Sequence, residues 1–236
     1  MIWDIALRKQ LRHGASRFEL DVRFASSAQR VVLFGPSGAG KTQTLRMVAG
    51  IVPPDAGRVT VAGRVLYDPA RGTALTPQQR KLAYVYQDYA LFPHLTVRQN
   101  IAFACHTGWR NPARRGNEAA VQRWLVAFHL QAVADHLPEQ VSGGQRQRTA
   151  LARALVSEPT ALLLDEPFAA LDKALRHKLR QELKDLQADL ALPMLLITPD
   201  EDDVASLAQE VVHLDAGRVV QAPPGDAAPM VRSLAR

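Results

Sequence analysis

VVLFGPSGAGKTQTLRMVAG, residues 31–50, decides the fold. Val31 to Phe34 read as a short buried strand, the glycines at 35, 38 and 40 interrupt regular backbone, and helical periodicity sets in from Lys41. The block GPSGAGKT, residues 35–42, matches G-x-x-x-x-G-K-[ST] in the context that gives this spacing its meaning, an apolar strand before and a helix after. The glycines let successive N–H groups converge on an anion, and the helix N-terminus adds its dipole. Gly35, Pro36, Ser37, Gly38, Ala39, Gly40, Lys41 and Thr42, with Thr44 just inside the helix, are the expected phosphate-binding residues. Lys41 would reach β and γ phosphates and the Thr42 hydroxyl would ligate Mg²⁺.

ALLLDEP, residues 161–167, supplies the complement. An apolar strand ending in a carboxylate places Asp165 beside the metal, to be held directly or through water. Glu166 would project towards the γ-phosphate and orient or deprotonate the attacking water. Two acids after a buried strand can also mark a surface turn, but the glycine loop upstream favours the catalytic reading.

Strand-like runs alternate with helical patterns around these blocks: VVLFG then KTQTLRMVAGIV, ALLLDEP then KALRHKLRQELKDLQADLAL, PMLLIT then EDDVASLAQ. That rhythm, with unbroken apolar strands, predicts an α/β fold whose parallel sheet is covered on both faces. RVTVAGRVLYD, residues 58–68, reads as an antiparallel hairpin turning at Ala62-Gly63, near the N-terminal edge. From about Leu95 to Ala154 the pattern is mainly helical, an insertion into the α/β core, interrupted by the polar loop GWRNPARRGN. In the helix beginning near Lys173, Leu175, Leu179, Leu183, Leu186 and Leu190 form a core-facing stripe. The Pro- and Ala-rich tail QAPPGDAAPMVRSLAR reads as a mobile end.

LLITPDEDDV, residues 195–204, poses a separate question, because an apolar run stops at Thr198-Pro199 and gives way to Asp200, Glu201, Asp202 and Asp203. The residue before a proline is pushed to extended geometry, which suits a strand end. The acids are expected to form the solvated first turn of a helix, where the dipole favours negative charge. Consecutive acids on one turn diverge, which argues against a shared metal site.

Composition narrows the class. At 236 residues and 47% hydrophobic, the chain can build a sizeable core. Its longest apolar runs, such as 161–164 and 194–197, fall far short of the roughly 20 residues a spanning helix needs. The charged N-terminus, MIWDIALRKQLRHG, does not read as a secretory signal, and a cytosolic location is expected. The single cysteine, Cys105, excludes an intramolecular disulfide and a cysteine metal cluster. A net charge of +6 invites a nucleic-acid reading, but the lysines and arginines are scattered. The nearest patch, Arg110, Arg114 and Arg115, lacks interleaved aromatics, so a solvated loop and no nucleic-acid partner are expected.

VSGGQRQRTALARAL, from Val141, makes the reading specific. Ser142 and Gln145 have capping-box spacing, so a helix should begin here with free N–H groups and two glycines, Gly143 and Gly144, presented to an anion. With GPSGAGKT and ALLLDEP, this resembles the ATP-binding cassette family over nearly the whole chain, Val141 standing where that family's signature usually has leucine. The resemblance implies one domain over 1–236: a RecA-like P-loop NTPase core at 1–87 and 155–236 with an antiparallel β edge, and an inserted helical subdomain at 88–154. It implies a head-to-tail homodimer in which Ser142, Gly143, Gly144 and Gln145 of each chain cap the ATP held by the P-loop of the other.

Further segments extend it. Gln87 in YVYQD is similar to the glutamine that contacts Mg²⁺ and water in that family, and AALD, ending at Asp172, resembles its D-loop with Ala169 in place of serine. LFPHLTVRQNIAF is similar to the segment that receives a coupling helix from a transmembrane permease subunit, and GRVLYDPARGTALTPQQRKLAYVYQDYALFPHLTV is similar to molybdate importers, sharing much with sulfate, tungstate and polyamine importers. The resemblance implies an ATPase with Glu166, Lys41 and Gln87 in catalysis, Thr42, Gln87 and Asp165 on the metal, and ATP and Mg²⁺ as cofactors. The implied place is the cytoplasmic face of the cell membrane, with permease subunits as partners and a periplasmic binding protein reached indirectly. The regulatory C-terminal domain common in molybdate-type subunits is not expected in this chain.

Two departures bear on activity. The aromatic residue that stacks on adenine has no plain counterpart, LRHGASRF offering His13, Arg12 or Phe18. The family's strand like LLIT leads into His-Asp, the histidine contacting γ-phosphate and water; here Pro199 stands in that place and offers neither side-chain donor nor N–H. A nucleotide-binding regulatory cassette that hydrolyses weakly is therefore the alternative to a working importer subunit.

Overall fold

A computed structural model describes residues 1–220 except Gly14, Ala15, 107–110, 114–118 and Ala170. The Arg110, Arg114 and Arg115 loop and the tail after residue 220 lie outside these described residues.

The sheet joins an antiparallel half to a parallel half. Strands β1 (Trp3–His13), β2 (Ser16–Ser26), β4 (Ala56–Val61), β5 (Arg64–Asp68) and β6 (Thr73–Ala74) pair antiparallel in the order β6-β5-β4-β1-β2. The parallel half runs β10 (Glu210–Asp215), β3 (Arg30–Phe34), β9 (Met194–Ile197), β8 (Ala161–Asp165) and β7 (Leu82–Val85), and β11 (Arg218–Val220) links the halves between β2 and β10. The hairpin turns where the sequence predicts, with Ala62 and Gly63 at φ 50° and 77°, both positive as a two-residue type I′ turn requires.

Alternation along the parallel strands divides the core in two. Ala161, Leu163, Leu195, Ile197, Val31 and Leu33 join one cluster with Leu45, Met47 and Val48 of helix α1 (Lys41–Ala49). Leu162, Leu164, Met194, Leu196 and Val32 join the other, under α3 (Val97–Phe103), α4 (Ala119–Ala127), α5 (Gly143–Leu155) and α6 (Lys173–Leu190), with Leu207 of α7 (Glu201–Leu207). Each strand is thus apolar on both faces, which is why these segments read as unbroken hydrophobic runs. A four-residue helix, α2 (Pro77–Arg80), starts at a Thr76/Gln79 capping box. No described helix is long and apolar enough to cross a membrane.

Two expectations need correction. The leucine stripe of α6 faces the core at Leu179 and Leu183, with Leu175 and Leu186 packed half-buried against it, but not at Leu190, which in the last turn is 43% exposed. The acids after Pro199 are not simply solvated. Glu201 and Asp202 are exposed, but Asp203 is buried and Asp200 half-buried, because arginines from α6 reach them.

Candidate functional site

The turn between β3 and α1 holds the glycine-rich block. Gly40 caps α1 at φ 96°, and a Cβ there would lie 2.8 Å from Leu20 Cδ1, so both conformation and space call for glycine. Lys41 is buried, its ammonium donating to the Gly35 and Pro36 carbonyls at 2.8 Å each. Burial pulls its pKa down, against the raising charges of Glu166 and Asp165. Thr44 is wholly buried and its hydroxyl donates to the Gly40 carbonyl, so its side chain is spent within the helix and is not open to a ligand. The expectation for that one side chain is corrected accordingly.

Facing this turn, the end of β8 presents Asp165, 4% exposed. Its Oδ1 accepts from the Thr42 hydroxyl at 3.0 Å and its Oδ2 from the Tyr84 hydroxyl at 2.7 Å. A hydroxyl and a carboxylate oxygen brought this close form a hard-oxygen pair of the kind Mg²⁺ prefers, so the residues present fit that ion. Glu166 follows at φ 48°, an uncommon conformation for a residue with a side chain, fixed by its N–H donating to the Ile197 carbonyl at 3.0 Å. Its carboxylate accepts from Gln87 Nε2 at 3.2 Å. An open cavity of about 570 Å³, lined by Thr42, Arg46, Tyr86, Gln87, Asp88, Asp165 and Ala169, lies over this cluster. That is the volume of an ordinary small-molecule site.

The signature segment sits elsewhere. Ser142 is exposed and caps α5, accepting from the Gln145 N–H at 3.2 Å while Gln145 Oε1 accepts from the Ser142 N–H at 2.9 Å. A Cβ on Gly144 would meet the Leu175 side chain at 3.1 Å, and Arg148 grips Glu182 with two hydrogen bonds of 3.0 and 2.9 Å, so the start of α5 is fixed against α6. Ser142, Gly143, Gly144 and Gln145 do not line the cavity at Thr42 and Asp165. One chain therefore does not assemble the two halves of the expected nucleotide site.

Beside the cavity, β9 ends in a different kind of corner. Pro199 is exposed. Asp200 caps α7 by accepting from the Asp202 N–H at 2.9 Å, and pairs with Arg176 and with Arg180, the latter at 3.3 Å. Desolvation raises its pKa, but the Arg176 hydrogen bond, the Asp202 N–H and the two guanidinium charges together hold it below the usual carboxylate value. Asp203 accepts from both Arg180 and the Thr198 hydroxyl. Arg176 also donates to the Leu171 carbonyl at 3.3 Å. Contrary to the expectation that consecutive acids diverge, Asp200, Asp202 and Asp203 all gather around the Arg180 guanidinium, which meets their charge in place of a metal ion.

Several residues that shape the site escape a reading of the sequence. Tyr84, Arg176 and Arg180 lie far along the chain from the groups they hold. Arg80 is buried and donates to the Met47 and Val48 carbonyls at 2.8 and 2.7 Å, satisfying the C-terminal end of α1, opposite the glycine-rich turn. Of the base-stacking candidates, Arg12 is exposed, and Phe18 is half-buried beside Gly40. The His13 side chain lies outside the described residues.

Comparison with known proteins agrees with this geometry. The sequence profile of the family described as ABC transporter matches residues 21–169. The "Probable sulfate/thiosulfate import ATP-binding protein CysA" of Chlorella vulgaris is 39% identical over 94% of this chain and 89% of its own length. The molybdenum import ATP-binding protein ModC of Mycobacterium tuberculosis is 40% identical over 91% of the chain, and the spermidine/putrescine import ATP-binding protein PotA of Nitratidesulfovibrio vulgaris 40% identical over 86%. The chain spans 59% of the length of the former and 52% of the latter. The dimeric post-hydrolysis structure of the ATP-binding cassette MJ0796 bound to ADP and Pi superimposes with a TM-score of 0.75 at 27% identity, covering 93% of this chain and 96% of that one.

Proposed function

The chain belongs to the ABC transporter family as an ATPase domain, and on that footing we propose that it is the ATP-hydrolysing subunit of an importer whose cargo is molybdate. The observation that carries the enzymatic part is the cluster at the cavity: Thr42 and Asp165 within hydrogen-bond distance, Glu166 held beside them by Gln87, and the Lys41 ammonium in the adjoining turn. Lys41 and the backbone N–H groups of residues 37–42 bind the β and γ phosphates and offset their charge. Thr42, Asp165 and Gln87 would hold Mg²⁺, which supplies further charge neutralisation on those phosphates. Glu166, its carboxylate held by the Gln87 amide, orients the attacking water and accepts its proton.

Ser142, Gly143, Gly144 and Gln145 act in trans. The separation of the α5 N-terminus from the cavity supports a head-to-tail homodimer in which each signature segment covers the γ-phosphate bound by the partner. The helical block, 88–154, and the core, 1–87 and 155–236, are the two parts that such closure moves. Permease subunits at the cytoplasmic face of the membrane receive that motion, and a periplasmic binding protein delivers cargo to them. Molybdate rests on the resemblance of residues 63–97 and on one group of relatives; sulfate and polyamine relatives match equally well, and a cassette of this kind never touches the cargo.

A second reading, a regulatory cassette that binds ATP and turns it over slowly, is favoured by Pro199 alone. Proteoliposomes holding this chain and its permease decide the matter. ATP-driven molybdate accumulation with phosphate release supports the first reading; uptake of sulfate or polyamine alone replaces the cargo; ATP binding without either process favours the second.

A further inference from the structure

We propose that Tyr84 is a positioning residue for the metal-binding carboxylate, fixing the rotation of Asp165 so that Oδ1 faces Thr42 and the nucleotide; this rests on the ATPase reading above. The pleat of the sheet brings the two side chains together. Tyr84 of β7 lies opposite Leu163 of the parallel neighbour β8, and Asp165 lies two residues beyond Leu163, so both side chains emerge on the face covered by α1. There the Tyr84 hydroxyl donates to Oδ2 at 2.7 Å while the Thr42 hydroxyl donates to Oδ1 at 3.0 Å. Each carboxylate oxygen thus has its own hydroxyl, one from a strand and one from a helix.

Arg46 completes the arrangement. It stands one turn after Thr42 on α1, lines the same cavity and brings a positive charge near the Tyr84 hydroxyl. α1, β7 and β8 thus meet at one carboxylate, with Thr42 on Oδ1 and Tyr84 on Oδ2. With Thr42 and Asp165 both serving the ion, the Tyr84 bond to Oδ2 would hold the plane of the carboxylate from the side away from Thr42. Groups in this relation to a ligand raise metal affinity without touching the metal. The ring of Tyr84 packs on Tyr86 with centroids 4.5 Å apart, a contact phenylalanine can keep, so Tyr84→Phe removes the hydroxyl and little else.

The test is equilibrium binding of a fluorescent ATP analogue, titrated with Mg²⁺, on the unmodified chain, Tyr84→Phe, Asp165→Asn and the double variant. Without Mg²⁺, Tyr84→Phe should bind the nucleotide as the unmodified chain does. The half-saturating Mg²⁺ concentration should rise about 10-fold, the lower end of what loss of such a partner costs a metal site. In the Asp165→Asn background the same change should add nothing, as expected if the tyrosine acts through that carboxylate. An unchanged Mg²⁺ titration for Tyr84→Phe, or a full additional shift in the double variant, overturns the inference and leaves the ATPase reading standing. If the unmodified chain binds the nucleotide with no response to Mg²⁺, the ATPase reading itself falls and takes this inference with it. Should Tyr84→Phe not fold, Tyr84→Leu removes the same hydroxyl from the same half-buried place and must shift the Mg²⁺ requirement in the same direction; no shift overturns the inference.

Discussion

Strands β8 and β9 are neighbours in one parallel sheet and both run into acidic residues, yet the two ends have opposite fates. At β8, the side-chain hydrogen bonds to Asp165 and Glu166 among the described residues come from neutral donors, the hydroxyls of Thr42 and Tyr84 and the Gln87 amide, and the Lys41 ammonium is near but bonds backbone carbonyls instead, so their charge stays available for a cation and a water. At β9, Asp200 and Asp203 are taken up by Arg176, Arg180 and Thr198. What separates a reactive carboxylate from a structural one here is the partner that α6 or α1 carries to it. Sequence position at a strand end is common to both.

The largest effect that could break this contrast is at β8. Glu166→Gln should lower phosphate release by about 10²- to 10⁴-fold. It should leave the melting temperature nearly unchanged, which differential scanning fluorimetry beside a phosphate assay would check. At β9 the expectation inverts. Asp203→Ala leaves the Arg180 guanidinium buried without its main partner, a change that costs about 3–5 kcal/mol when an ion pair is broken from one side. Denaturant unfolding should reveal that loss, with the surviving folded protein still hydrolysing ATP. A collapse of activity in the folded Asp203→Ala fraction would blur the division drawn between the two ends.

The smallest effect is pH-dependent. Asp200 has a folded-state pKa below its unfolded value, so its contribution is fully present above the ordinary aspartate value of about 3.9 and is lost as pH falls through the folded value. Acid unfolding measured in the unmodified chain and in Asp200→Asn should converge at the lowest pH and separate above it. Parallel curves at every pH would mean that the Arg176 and Arg180 pairing contributes nothing.

These contrasts also mark what the sequence reveals. The P-loop, the β8 acids and the signature helix are legible because each is a local pattern whose spacing carries its chemistry, from GPSGAGKT to the Ser142 and Gln145 box. β1 and β2 go unread, although Phe18, Leu20, Val22 and Phe24 alternate along β2 as a period-two signal. The burial of Asp203 could not be read, because it depends on Arg180, 23 residues away on another helix, and four consecutive acids look solvated until that helix is in place. Tyr84 is hidden for the same reason: its partner, Asp165, is 81 residues distant.

Chemistry, on this view, resides at the end of β8, while the end of β9, having Pro199 where a contacting side chain would stand, contributes structure alone. Steady-state phosphate release by the unmodified chain, Pro199→His and Pro199→His with Glu166→Gln tests that division most directly. The histidine should raise the rate by about 10²- to 10³-fold, the worth of one preorganised transition-state contact, and Glu166→Gln should abolish the gain. A fast unmodified chain to which the histidine adds nothing would contradict the division, and would mean that another group already fills the place beside Pro199.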